Sequence, residues 1–315
     1  MLAKLKASFH RNGYVIIKDF FAQTLISNTL SEYKKIVRSF QSQQLGTHFF
    51  SGGYAGEQNA DKYFFESSDK IWPFFNSQAK AHPNILIQDL SNEENLFAYL
   101  KVMNKTGHNL HGKNRVFHDL FFHDSRLTEI AQSLGYDEPC TSIFQTTVIS
   151  KSRVEDSQYK PHQDGSYLGA GGKVLAYWIP LTPSRKNNGC LWGIPGSHTT
   201  PLNWWYRKEN SETYRCHYIG QEPQWNLANK IYLEVNPGDL LLFSGNFVHG
   251  SSPATKLPND IQDLRIALTY HLGPTTGWNE LIWLKLKTEN TLPLYKNIIC
   301  IHCSTISSML SNFWW

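Results

Sequence analysis

From Thr141 onward the chain is written in short runs rich in Val, Ile, Thr, Tyr and Trp, broken by Gly and Pro. Candidate strands lie at 143–150, 161–167, 174–181, 189–194, 231–235, 240–243 and 264–272. Short strands at this spacing, with turn signals between them, predict an antiparallel sandwich or barrel. Before Thr141 the pattern is mostly helical. Leu2, Leu5 and Phe9 recur at helical spacing, Gly13 stops the run, and residues 14–17 form a short strand. Leu25, Ile26, Leu30, Tyr33, Val37 and Phe40 mark one face of a second amphipathic helix. The glycine-rich, polar stretch from Gly46 to Ala60 is expected to be a loop. Ser91-Asn-Glu-Glu94 has the form of a capping box opening a helix that carries Leu96, Leu100 and Met103. Another helix starts near Ser125, with Leu127, Ile130, Ala131 and Leu134 inward and Gly135 at its end.

Composition removes several classes. The charged share is 18% and the hydrophobic share 41%, which suits a well-cored globular chain rather than a disordered one. Net charge is +4 with no long basic run, so no nucleic-acid footprint is expected. The five cysteines (Cys140, Cys190, Cys216, Cys300 and Cys303) are odd in number and scattered, unlike a disulfide framework. The first ten residues alternate charge with apolar side chains and do not read as a signal peptide. The final Asn312-Phe-Trp-Trp315 carries no peroxisomal signal. The expectation is an intracellular, cytoplasmic protein with no membrane span.

Within the β-rich part, Tyr159-Lys-Pro-His162-Gln-Asp164-Gly-Ser-Tyr167 concentrates the chemistry. If the segment is extended, alternation sends His162 and Asp164 to one face and Gln163 to the other. An imidazole and a carboxylate make two corners of a metal site. With 13 His and 26 acidic residues in 315, chance gives about one His-x-acid in such a chain, so context has to decide. Context comes from His249, which follows the apolar run 240–243 and is expected to return across a barrel to face the pair. Two His and one carboxylate leave open positions on a non-haem Fe(II). His108, His111, His118 and His123 are read as structural or surface histidines.

Residues 264–272 add a charge. Alternation places Arg265, Ala267, Thr269 and His271 on one face and Leu264, Ile266, Leu268, Tyr270 and Leu272 on the other. If the apolar face packs against helices, Arg265 points into the barrel, where a guanidinium needs an anion. Its planar fork matches a carboxylate, so Arg265 is a candidate receptor for a dicarboxylic co-substrate. A structural salt bridge is the competing reading.

His162-x-Asp164, His249 and Arg265 together resemble the phytanoyl-CoA dioxygenase family of Fe(II)/2-oxoglutarate oxygenases. Segments 9–17, 188–198 and 237–249 look similar too, and the resemblance runs from about residue 9 to about Tyr295. It implies a double-stranded β-helix (a cupin-like jelly roll) with a helical N-terminal half. A single dioxygenase domain would span 1–295, helical to about 140 and jelly roll from about 141. The tail 296–315 has no family counterpart. His162, Asp164 and His249 are then implied as iron ligands, and Arg265 as the partner of the distal 2-oxoglutarate carboxylate. Lys105, Thr147, Gln163, Trp178 and Ser251 are implied as further co-substrate contacts. The extra loop Leu257–Asp263 lengthens the His249-to-Arg265 spacing beyond the family's usual one. The implied activity consumes O2 and 2-oxoglutarate, releases succinate and CO2, and hydroxylates a small organic or acyl substrate. Asp164 disfavours halogenation, which needs a small residue there. The alternative is a non-catalytic cupin-like binding module. Trp204, Trp205, Tyr206 and Trp225 are candidates for the substrate mouth.

Overall fold

The computed structural model describes residues 2–40, 62–137, 141–152, 158–168, 173–209, 216–274 and 292–293. The loop expected at 46–60, Cys140, Cys300, Cys303 and the tail 296–315 lie outside them. In chain order the strands are β1 (Tyr14–Ile17), β2 (Ile71–Phe75), β3 (Met103–His108), β4 (Thr141–Lys151) and β5 (Tyr159–His162). Next come β6 (Leu175–Pro180), β7 (Leu191–Gly193), β8 (Trp204–Lys208) and β9 (Cys216–Gly220). β10 (Ile231–Leu233), β11 (Leu240–Ser244), β12 (His249–Ser251), β13 (Arg265–Pro274) and β14 (Leu292–Pro293) complete the set.

These strands form the two sheets of a jelly roll. The larger runs β1-β11-β6-β13-β4-β3-β2, with β14 added beside β4, and the smaller runs β10-β7-β12-β5. β8 and β9 make a separate hairpin. Alternation along β13 sorts the core as its sequence predicts. Leu264, Ile266, Leu268, Tyr270 and Leu272 join a buried cluster with Ile26, Tyr33 and Val37 of the helix Gln23–Ser39 and with Phe117 and Leu127. Each such side chain, fully buried, is worth roughly 1.5–3 kcal/mol of transfer free energy. The opposite face of the large sheet meets the small sheet through Trp178, Leu191, Phe243, Phe247 and Ala267.

The helices follow their sequence signals closely. Leu2–Asn12 ends at Gly13, whose φ of 82° is left-handed, and Ser125–Ser133 is followed by Gly135 at φ 89°. The helix Glu93–Val102 is capped by Asn92, not Ser91, because the Asn92 carboxamide accepts from the Glu94 and Asn95 amides. Met103 leaves that helix and opens β3. β2 and β3, which carry no clear alternation, pair with each other and, through β3, with β4, so the helical half also widens the large sheet. The strand expected over 161–167 stops at His162. A five-residue helix, Asp164–Leu168, takes over, with the Gly165 amide donating to the Gly245 carbonyl at 2.8 Å.

Candidate metal centre and anion receptor

His162 and His249 are direct register partners on β5 and β12. They are neighbours in the small sheet, not residues facing each other across the barrel. Their rings lie 4.3 Å apart. Asp164 reaches the same point from the first position of its helix, so the His-x-Asp pair converges through a strand-to-helix kink instead of strand alternation. Asp164 Oδ1 is 3.5 Å from His162 Nε2 and 3.6 Å from His249 Nε2. The three ligand atoms all lie within 4.8 Å of one another, close enough for one ion.

Backbone carbonyls orient both imidazoles. His162 Nδ1 lies 2.7 Å from the Lys160 carbonyl and His249 Nδ1 lies 3.0 Å from that of Phe247. A carbonyl only accepts, so each Nδ1 carries the proton and each Nε2 keeps its lone pair for a metal. Burial lowers His249 to about 4, which keeps it neutral near pH 7. For Asp164, burial pushes upward, but His249, His162 and His271 outweigh it and hold the carboxyl well below its ordinary range. The donor set is thus a carboxylate and two imidazoles that turn Nε2 toward it, suited to a first-row divalent metal.

One cavity joins these ligands to Trp178, Arg265, Thr269 and His271. Arg265 is 1% exposed, and its Nε and Nη1 have no hydrogen-bond partner among the described residues; the Trp178 indole N–H is equally unpartnered there. Burial lowers the guanidinium to about 10, which leaves it charged at neutral pH. A buried guanidinium facing a cavity with open donors is a receptor for an anion. The salt bridge considered for it from sequence is absent among the described residues. The loop 257–263 does not disturb this, because Asp263 ties back to Lys256 and to the Asn259 amide, and Arg265 then pairs with Lys151 in register.

The remaining residues divide. Ser251 follows His249 on β12, and its hydroxyl accepts from Lys151 Nζ at 2.5 Å. Lys105 and Thr147 share the inner face of the large sheet through the pairs Lys105–Ile149 and Thr147–Thr269. Neither lines the cavity, and Lys105 Nζ lies over the Phe64 and Phe74 rings. Gln163 turns away, and its amide donates to the Asn246 carbonyl at 2.6 Å. Trp204 stacks on Tyr218 in the β8–β9 hairpin with centroids 3.8 Å apart, and neither Trp204 nor Tyr206 lines the cavity.

Two residues were not singled out from sequence. His271 Nε2 lies 3.1 Å from Asp164 Oδ2, and Lys151 stands beside Arg265. Strand alternation put His271 on the inner face; nothing local to the motif announced either contact. His108 and His111 are buried and bonded to Ser67 and Thr146, as structural histidines should be. His118, Asp119 and His123 do gather on the surface, where Arg115 Nε also donates to Asp119.

A jelly roll whose small sheet presents two histidines, joined by a carboxylate from the helix that follows β5 and by a buried arginine in the same cavity, defines a class of metal-site barrels. Within that class the chain belongs to the phytanoyl-CoA dioxygenase (PhyH) family, whose model matches residues 9–256. It is 31% identical over 242 residues to phytanoyl-CoA dioxygenase domain-containing protein 1 of Rattus norvegicus, covering 75% of this chain and 77% of that one. It is 28% identical over 298 residues to phytanoyl-CoA dioxygenase 1 of Oryza sativa subsp. japonica, covering 92% and 95%. Among solved structures, EctD from S. alaskensis with bound Fe superposes with a TM-score of 0.55 at 18% identity, over 89% of this chain and 79% of that one. The epimerase SnoN, in complex with Fe3+, alpha ketoglutarate and nogalamycin RO, gives 0.54 at 16% identity, over 87% and 84%. The family match ends before Arg265, so the place of that residue rests on its strand pairing.

Proposed function

We propose that this chain is an Fe(II)- and 2-oxoglutarate-dependent dioxygenase that hydroxylates a small organic or acyl substrate, releasing succinate and CO2. The observation that carries this reading is one cavity holding a two-histidine, one-carboxylate cluster and an arginine with unpartnered donors. EctD and SnoN, named with bound iron or with alpha ketoglutarate, share the fold. Here His162, Asp164 and His249 would hold the metal, and Arg265 would take the distal carboxylate of the co-substrate. When bound, iron couples oxidative decarboxylation of a 2-oxo acid to oxidation of a substrate C–H bond. The protein's own residues orient and shield. The Lys160 and Phe247 carbonyls fix both imidazoles, Tyr167 and His271 hold the two Asp164 oxygens, and Phe243, Leu191 and Trp178 keep the cavity dry.

The test is succinate formation from 2-oxoglutarate with Fe(II) and O2, with and without candidate substrates. Turnover that vanishes in Asp164→Ala supports the reading. A protein that binds neither iron nor 2-oxoglutarate is a non-catalytic module instead.

A further inference from the structure

Lys151 sits at the end of β4 as the register partner of Arg265, and it is 2% exposed. It makes no ion pair among the described residues. Its Nζ donates to Ser251 Oγ at 2.5 Å and to the Ser252 carbonyl at 2.8 Å, and it lies 5.7 Å from the Tyr159 ring centroid. The fold makes room for this side chain: a Cβ at Gly189, where φ is +81°, would stand 2.4 Å from Lys151 Cδ. Placing a lysine here and leaving it without a carboxylate is costly unless the site exists to receive one.

The Ser251 hydroxyl is the informative group. Its oxygen accepts from Lys151 Nζ and also from the Tyr159 amide at 3.3 Å. A hydroxyl has two acceptor lone pairs and one proton. With both lone pairs engaged, only the O–H remains, and it has to donate. Arg265 Nε and Nη1 also donate only. Arg265 lines the cavity and Ser251 and Lys151 lie behind it, so the polar groups at this corner only donate.

We propose that Lys151 is a positioning residue, which commits the Ser251 hydroxyl to donating and thereby makes the corner beside Arg265 selective for a second carboxylate on the co-substrate. The inference rests on the oxygenase reading above and deepens it. Burial and the neighbouring Arg265 both lower the Lys151 ammonium, and an anion seated between the two side chains reverses that penalty.

The test compares 2-oxoglutarate with 2-oxobutyrate, which keeps the 2-oxo acid end and lacks the distal carboxylate. Affinity for each is measured by calorimetry on the anaerobic Fe(II)-loaded full chain, for wild type, Lys151→Met, Ser251→Ala and the double variant. Lys151→Met is expected to weaken 2-oxoglutarate about tenfold or more and leave 2-oxobutyrate unchanged. The double variant should then be no weaker than about twofold below Ser251→Ala, because Lys151 acts through Ser251. Unchanged 2-oxoglutarate affinity, equal losses for both acids, or fully additive losses would each overturn the proposal. Where Lys151→Met does not fold, Lys151→Arg serves, since its wider head does not fit the slot at Gly189. A lowered preference for 2-oxoglutarate in that variant supports the proposal, and an unchanged one overturns it. A wild type that prefers neither acid removes the oxygenase reading itself and this inference with it.

Discussion

His271 Nε2 lies 3.1 Å from Asp164 Oδ2, while the Tyr167 hydroxyl donates to Oδ1 at 2.5 Å. The carboxylate of the candidate metal cluster is therefore held at both oxygens, by buried His271 on β13 and by part-buried Tyr167 on its own helix. Such outer partners fix the direction of a ligand and tune its basicity.

His271→Ala should lower Fe(II) or Mn(II) affinity by roughly 10- to 100-fold, the usual cost of losing an outer partner. Equilibrium dialysis of the metal reads this directly. Unchanged affinity would mean that Asp164 keeps its aim without His271.

Asp164→Ala removes the only acidic ligand of the cluster. Metal binding and succinate production should both fall to background, as measured by dialysis and by 2-oxoglutarate turnover. Near-normal turnover would refute the ligand assignment.

Arg265→Ala should spare the metal and weaken 2-oxoglutarate by about 1.5–3 kcal/mol, or roughly 10- to 150-fold, as expected for a lost charge-assisted hydrogen bond. Calorimetry on the metal-loaded protein measures it. Were affinity unchanged, another cation would be the receptor.

Burial lowers Lys105 to about 7 from an ordinary 10.5. Between those values the unfolded chain binds a proton that the folded chain does not, so this residue makes stability rise with pH through the window. The penalty is fully present below about 7. Lys105→Met should therefore raise the melting temperature at pH 6 and flatten its increase between pH 7 and 9, as followed by thermal melts across pH. A variant whose profile parallels the wild type would show that Lys105 stays protonated in the fold.

Gly250 separates His249 from Ser251, and a Cβ there would lie 2.5 Å from Trp192 and 2.6 Å from the Tyr159 carbonyl. Gly250→Ala should cost about 1–3 kcal/mol, typical of overpacking, seen as a lower denaturation midpoint. An unchanged midpoint would show that β5 can shift away without loss.

Much of this fold was legible locally. The helices at 2–12, 23–39 and 125–133 carry apolar stripes that pack into the core, apart from Leu2, which stays exposed at the start of the first, and β13 alternates between the helix-covered face and the cavity. β2, β3 and the β8–β9 hairpin were not legible, because their runs lack period-two alternation and take their identity from strand partners. The extended reading of 161–167 failed for a related reason. Its alternation holds only while a neighbouring strand is present, and past His162 the chain meets Gly245 and turns into a helix.

Residue types and spacing alone offered His162, Asp164 and His249 as a set that could share an ion and put Arg265 on the face of its strand opposite the apolar one. The face of Arg265 follows from the two-residue period of a strand, and the ligand set from residue chemistry, since Asp164 reaches the site through the kink after His162. Only the tertiary structure decided what surrounds them: His271 on Asp164, Lys151 on Ser251, and Gln163 turned out to Asn246. Those contacts join residues 83 to 107 positions apart, and no local periodicity encodes a pairing of that range. It arises when two sheets close on one another and each buried polar atom must find a partner or an anion.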